Sequence, residues 1–375
     1  MSAFGNLMPE DGTLAYSILA MIAICGDFPA NQISRMPGGE RYKKEKLKEL
    51  KSRGLYRVYY RDKLRSYRLT SAAKKLFLAN NSSRFGLYLT GKTETNQLKS
   101  EIPRRLRLHR IAETSVTMRN ADVSIFRDEK PDVFSSEKAE VDSIWVESPA
   151  FYSSREIKEY GAEFVKIRNA RSVGTLLAEE TAFVVYNMGG SRMRWSYKSE
   201  MRTKALIKTI LLNRLPEQYS PDSIEGLLLG NSMELAFDLL TDKENVKSNY
   251  FILDGNYGCF HYLTNDRKGE LLLRLLCDPY KKETLNSLLS ENFSVRRLGW
   301  LFENDAIDDN GAPVIFAYSF DLPKISRFNS AIQLHEQSGT IICFDYQADV
   351  LQRYCCSNIK VRTISADEIE RRFFP

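Results

Sequence analysis

The sequence predicts an α/β protein, α+β overall, in which an N-terminal winged helix-turn-helix precedes a mixed α/β body. Three observations lead there. Between Arg41 and Arg68 the chain carries twelve Lys or Arg against three acidic residues, Glu45, Glu49 and Asp62. The first eighty residues read, from caps and turn residues, as helix, helix, turn, helix, hairpin, helix. From residue 139 the texture changes to alternating strand and helix patterns.

Thr13 is placed to cap a helix Leu14–Ile24 that Gly26 stops. A short helix Ala30–Met36 follows, then the forced turn Pro37-Gly38-Gly39, then a helix Glu40–Arg53 ending at Gly54. Strand-like runs Leu55–Tyr60 and Leu64–Leu69 flank Arg61-Asp62-Lys63, and Thr70 caps a helix Ser71–Asn80. That order is the layout of a winged helix. In its third helix Leu47 and Leu50 are spaced to face a core, while Arg41, Lys44, Lys48 and Lys51 recur on the opposite face. Along the hairpin Arg57, Arg61, Lys63, Arg65 and Arg68 alternate with Tyr56, Val58, Tyr60 and Tyr67. A solvated basic helix beside a plain hairpin is the bland account. Turn, helix and hairpin agreeing in charge and order favours double-stranded DNA as partner.

The polar stretch Asn81–Asn96 reads as a linker or an excursion from the winged domain, giving a DNA-binding domain over 1–96. A basic helical connector, 97–138, contains a helix Ile102–Asn120 with Arg104, Arg105, Arg107 and Arg110 clustered early. These arginines are candidates to extend the phosphate contacts or to pair with acids of the body. The α/β body spans 139–375 and divides into 139–215 and 216–375. Expected strands are Ser143–Glu147, Ala182–Tyr186, Leu227–Leu229, Tyr250–Leu253, Phe260–Leu263, Val314–Phe320, Thr340–Phe344 and Val361–Ile364. Expected helices are Lys198–Leu212, Ser232–Leu240, Gly269–Cys277, Lys282–Leu289, Ile325–Glu336, Ala348–Tyr354 and Ala366–Phe373, with capping boxes at Asn231/Glu234 and Ser365/Glu368.

Charge separates the two parts. Residues 1–110 hold 22 Lys and Arg against 9 Asp and Glu, and the remainder holds 32 against 39. A basic head on a mildly acidic body fits a nucleic-acid module joined to something that meets protein, so a second copy or a protein partner is expected at the body. Six dispersed cysteines without a C-x-x-C spacing read as reduced thiols of a cytoplasmic protein, and three scattered histidines leave little for a zinc site. The longest apolar stretch, Leu14–Cys25, is too short to span a bilayer, so no membrane partner is expected. No metal and no cofactor are expected.

Several strings resemble patterns that carry chemistry. Gly86-Leu87-Tyr88-Leu89-Thr90-Gly91-Lys92-Thr93 matches the phosphate-loop pattern but lacks the preceding strand that makes backbone N–H groups converge on phosphate. Glu156-Ile157-Lys158 matches the E-x-K of metal-dependent nucleases of the PD-(D/E)xK type, yet falls in a predicted helix Ser153–Tyr160 and reads as a surface helix. His109 reads as a phosphate contact or, more simply, a packing residue. Vicinal Cys355 and Cys356 lack the basic neighbours that would make them reactive. Asp254-Gly255-Asn256 reads as a hairpin turn.

The segment Arg168-Asn169-Ala170-Arg171-Ser172-Val173-Gly174-Thr175-Leu176, the strand Phe183–Asn187 and the following Gly189-Gly190, Arg192, Arg194, Trp195, Lys198, Glu200, Arg202 and Lys204 carry a resemblance. With Arg105–Arg110 and Glu113, residues 12–210 resemble the replication-relaxation proteins of Gram-positive bacterial mobile elements. The resemblance implies a winged helix joined to a nuclease-like α/β domain. It also directs attention to a proline–aspartate near Ser172-Val173 and an acid plus Lys on the next strand, where this chain has Val185-Tyr186-Asn187. The implied body is a degenerate PD-(D/E)xK-like fold without its metal-binding carboxylates. The expected function is sequence- or structure-specific duplex DNA binding for replication, plasmid mobilisation or its regulation. The alternatives are a Mg²⁺-dependent nuclease or relaxing enzyme, and a transcription regulator whose body senses a ligand. Whether the chain is an enzyme is left open by its residues, with the balance against.

Overall fold

The computed structural model describes residues 8–134, 144–161, 170–242, 250, 251, 253, 255–291, 293–295 and 303–375. The chain is mixed α/β and forms two compact units that divide between Asp132 and Val133.

The first unit opens with helix α1 (Leu14–Cys25), capped by Thr13 Oγ1 accepting from Tyr16 N at 3.2 Å. Nearly every α1 side chain is buried, so it forms the spine of this unit. Gly26 ends it with φ +73°, where a Cβ would also meet the Thr95 backbone at 2.9 Å. Strand β1 (Phe28–Pro29) runs into a 3-10 helix (Ala30–Arg35), and α2 (Glu40–Ser52) follows. Strands β2 (Tyr56–Arg61) and β3 (Leu64–Leu69) form an antiparallel hairpin, and β1 adds to β3 to give the order β1–β3–β2. Thr70 caps α3 (Ser71–Asn80), as its position predicts.

Of the two readings of the segment after Asn80, the linker is not formed: the segment is ordered and belongs to this unit. Asn81 caps α4 (Ser82–Leu89), whose Phe85, Tyr88 and Leu89 are buried against α1 and α3. Gly86 of the phosphate-loop string therefore lies inside a helix, and the Thr93 hydroxyl is spent on Tyr88 O at 3.1 Å. No phosphate cradle forms there. Of the expected connector, residues 97–132 are likewise part of this unit: α5 (Ile102–Asn120) packs on α1 and β1.

The second unit begins with β4 (Ala150–Ser153), since Ile144–Glu147 forms no strand and Ser143 lies outside the described residues. Helix α6 (Ser154–Gly161), β5 (Ser172–Leu177), β6 (Ala182–Gly189), α7 (Tyr197–Arg214), β7 (Ile224–Gly230), α8 (Met233–Thr241) and β8 (Phe260–Thr264) follow. Their sheet has the order β4–β5–β6–β7–β8, with β5 antiparallel to both neighbours and β6, β7 and β8 parallel. Strand β8 is an edge strand of this sheet, with β7 as its neighbour. Tyr250 instead bridges Arg194 and Phe251 N donates to Met193 O, so the hairpin expected around Gly255-Asn256 is not formed by the described residues, Asp254 lying outside them. Ser232, not Asn231, is the N-cap of α8.

Helices α9 (Arg267–Cys277) and α10 (Pro279–Ser290) lead to short strands β9 (Ser294–Val295) and β10 (Ala306–Ile307). Then β11 (Pro313–Phe316), α11 (Leu322–Leu334), β12 (Gly339–Phe344), α12 (Ala348–Tyr354), β13 (Ile359–Ile364) and α13 (Ala366–Phe373) complete a second sheet, β13–β12–β11–β10–β9. The β11–β12–β13 part is parallel, as alternating helices and strands require. The two sheets meet where Tyr262 N donates to Phe320 O at 3.1 Å and Phe260 N donates to Asp321 Oδ1 at 2.9 Å. One apolar core, from Val184 and Leu228 to Ile341 and Cys343, runs through both. Among the described residues no helix is long and apolar enough to cross a membrane.

Candidate nucleic-acid interface

The basic face of α2 forms as the spacing predicts. Arg41, Lys44, Lys48 and Lys51 are exposed, and Lys51 lies in the last turn, where the helix dipole favours a cation. Arg41 pairs with Glu45 at 3.1 Å on the open surface, with its own side chain 94% exposed. Among the described residues no carboxylate lies within ion-pairing distance of Lys44, Lys48 or Lys51. Lys43, one residue away, is buried. Its Nζ donates to Ser34 O at 2.7 Å and Met36 O at 3.2 Å, closing the carboxyl end of the 3-10 helix, and pairs with Glu40 at 2.6 Å. Lys43 thus sets the angle at which α2 leaves the turn, a role that helical spacing alone conceals.

The hairpin reaches outward through a two-residue turn. Arg61 pairs with Leu64, and Asp62 and Lys63 between them have φ +53° and +60°, the left-handed pair of a type I′ turn. Asp tolerates this region; Lys does so at a cost on the order of 1–2 kcal/mol. Strand alternation divides the remaining side chains. Tyr56, Val58, Tyr60, Arg65, Tyr67 and Leu69 share one face, and Tyr56 Oη donates to Leu47 O of α2 at 3.0 Å. Arg57, Tyr59, Arg61, Leu64, Ser66 and Arg68 share the other. Arg57, Arg61, Lys63 and Arg65 are exposed.

Arg68 and Arg105 are not surface residues. Both are buried, and both end on Asp27, which is itself fully buried. Arg68 Nε lies 2.7 Å from Asp27 Oδ1, and Arg105 Nε lies 2.9 Å from Oδ2. The Ser66 hydroxyl also donates to Asp27, and His109 Nε2 is 3.3 Å away. The rest of the Arg105 guanidinium donates to Arg61 O at 2.8 Å and Leu64 O at 3.0 Å, the two carbonyls that flank the hairpin turn. Tyr59 completes the cluster, with the Arg68 guanidinium carbon 3.5 Å from its ring centre and its hydroxyl on Ser100 Oγ at 2.9 Å. These arginines are struts. They were indistinguishable from phosphate ligands in sequence because their partner is far away along the chain. Of the remaining α5 arginines, Arg104 is exposed and paired with Glu101 at 2.7 Å, and Arg107 lies 3.9 Å from Glu94.

In the second unit Glu156, read as part of a surface helix, and Glu200 are both buried. Glu156 Oε2 accepts from Ser153 N at 2.8 Å and from its hydroxyl at 3.0 Å, closing the first turn of α6 in the manner of a capping box. Glu200 is fully buried on α7 and accepts from Arg171 N at 2.8 Å. At the β6 position where the nuclease resemblance looks for an acid or Lys stands Tyr186. It is buried among Trp195, Tyr257 and Phe260, with its hydroxyl 2.9 Å from that of Tyr257. Burial, with Tyr257 and Glu200 beside it, pushes the Tyr186 phenol well above its usual range. His261 bridges Glu225 Oε2 at 2.9 Å and Ser319 O at 3.0 Å. The described cysteines are all free thiols, and burial drives Cys25, Cys277, Cys343 and Cys355 up to about 12, which makes them poor nucleophiles. Among the described residues no group of three or more His, Cys, Asp or Glu is arranged to hold a metal ion.

No protein-family model, curated protein or solved structure matches this chain.

Burial alone would raise the Asp27 pKa. The close approach of His109 and the hydrogen bonds from Arg68, Ser66 and Arg105 overcome that and hold it well below the usual carboxylate range. A depressed folded pKa contributes stability that is complete above the unfolded carboxyl value, near pH ~4, and is lost as pH falls below it. Asp27→Asn is expected to cost about 3–5 kcal/mol by stranding buried cations. It should also flatten the fall of stability below about pH 4. Hydrogen exchange of the β2 and β3 amides in the full chain across that pH range measures both. An acid limb as steep in Asp27→Asn as in the parent would show that Asp27 is not the anchor.

Proposed function

We propose that this chain is a DNA-binding protein of a mobile genetic element, serving replication, plasmid mobilisation or its control. It binds duplex through a winged helix whose recognition helix is α2 and whose wing is the β2–β3 hairpin. The observation that carries this reading is the division of the basic residues. Cations needed for packing (Lys43, Arg68 and Arg105) turn inward onto acceptors, while Arg41, Lys44, Lys48, Lys51, Arg57, Arg61, Lys63 and Arg65 stay exposed on the helix and hairpin. Helix, strand, short helix, helix and hairpin, with sheet order β1–β3–β2, support the assignment. The α/β body then provides assembly, with a second copy or a protein partner, and the site of action is the cytoplasm.

Replacing Lys44 and Lys48 together with Glu is expected to abolish duplex binding in a gel shift while the circular-dichroism spectrum stays unchanged. Binding that survives would remove α2 as the recognition element. Neutralising Arg61, Lys63 and Arg65 should weaken binding to all sequences. It should make the slope of log K against log salt shallower by up to about 0.9 per lost phosphate contact. A slope equal to that of the parent would place the hairpin away from DNA.

A second reading, a Mg²⁺-dependent nuclease, draws on the helix between β4 and β5, the lone reversed strand β5 and the buried Glu200 behind β6. Such chemistry needs at least two convergent carboxylates with room for metal and phosphate. Glu156 closes its own helix, and Tyr186 with its aromatic neighbours fills the β6 position. The body is therefore expected to leave supercoiled DNA intact at millimolar Mg²⁺ or Mn²⁺. Nicking that disappears in Glu200→Gln or Glu156→Gln would promote the nuclease reading over degeneracy.

A further inference from the structure

Two adjacent tyrosines of the hairpin differ sharply. Tyr59 is locked, with Arg68 on its ring and Ser100 on its hydroxyl. Tyr60 is 67% exposed, and among the described residues it has neither a ring contact nor a hydrogen-bond partner. Its place in the register explains this. Tyr56/Leu69 and Val58/Tyr67 cover the core on one hairpin face, and Tyr60/Arg65 is the next pair outward on that face, beyond the edge of the core.

An aromatic ring left in water at that point gives up burial that it would recover by stacking. Its surroundings say on what. Arg65 lies directly across the ladder on the same face, Lys63 stands at the turn and Arg61 follows it in the chain, so cations that attract phosphate surround the ring's position. It is also held still. Arg105 binds the carbonyls of Arg61 and Leu64, so the turn beside Tyr60 is braced from within the fold. A flexible tip would collapse against phosphate; a braced ring with cations around it presents a flat face to a base.

We infer that Tyr60 is a base-stacking residue, and that it makes the hairpin a reader of duplex–single-strand junctions. In continuous duplex every base face is covered by its neighbour, so the ring meets only sugar and phosphate. At a junction the terminal base pair exposes a face on which the ring can stack, while Arg61, Lys63 and Arg65 take the phosphates of the diverging strands. This inference rests on the DNA-binding reading and adds a class of target to it: forked, gapped or partly unwound DNA.

The test compares a covalently closed, relaxed duplex circle with the same circle carrying a short single-stranded gap, using the full chain. The parent is expected to favour the junction by about tenfold, the scale of one base–aromatic stack. Tyr60→Ala should lose that preference while binding the closed duplex within about twofold of the parent, and Tyr60→Phe should keep it, because the ring and not the hydroxyl stacks. A 2-aminopurine in the pair bordering the gap should change its fluorescence with the parent and with Tyr60→Phe but not with Tyr60→Ala. Equal affinity of the parent for both DNAs, or a preference that survives in Tyr60→Ala, overturns the inference and leaves duplex binding standing. Failure of the parent to bind either DNA would instead remove the DNA-binding reading itself.

Discussion

A single buried carboxylate, Asp27, organises the first unit. It sits between α1 and β1, and isolated in that position its charge would cost several kcal/mol. Arg68 of β3 and Arg105 of α5 converge on its two oxygens, and Ser66 and His109 fill the remaining approaches. Satisfying Asp27 therefore brings together elements that are distant in sequence: the end of α1, the outer hairpin and the start of α5. Arg105 then spends its other donors on the hairpin turn. The charge that must be neutralised inside is thus the same charge that fixes the tip outside.

Lys43 applies the same physics on a smaller scale. A 3-10 helix ends in carbonyls that need donors, and the Lys43 ammonium supplies them from the first turn of α2. The helix is aimed by a buried lysine and decorated by exposed ones. Removing the buried cations would disturb the fold, whereas removing the exposed ones would lower local positive potential and little else. Basic composition therefore serves two ends in this unit, and only burial tells them apart.

The second unit is held by a different device. Parallel strands β6, β7 and β8 place their helices close against the sheet. At Gly269 of α9 the approach is so tight that any Cβ would collide with the Thr264 carbonyl. At the β6 centre, Tyr186, Trp195, Phe251, Tyr257 and Phe260 interlock ring against ring. Such packing favours a rigid, dry interior over an open, polar cleft.

Local sequence determined much of this molecule. Thr13, Gly26, Thr70 and the spacing of Leu47 and Leu50 marked their elements because capping, left-handed backbone and helical periodicity act within a few residues. The hairpin, the exposed face of α2 and most helices of the body were legible for the same reason. The strands β4 and β5 were not, because a strand buried on both faces lacks the alternation that announces one. The helix α4 was hidden by the polar residues around its two buried aromatics, Phe85 and Tyr88, and Leu89. Glu156 looked like surface charge although its partner Ser153 is only three residues away, and Glu200 carried no local sign of its role because only the folded chain brings Arg171 N to it. Most of all, nothing in the linear pattern separates Arg68 and Arg105 from Arg61 and Arg65. The tertiary structure separates them by placing Asp27 beside the first two, since a charge pairs with whatever neighbour space provides and sequence order does not enter Coulomb's law.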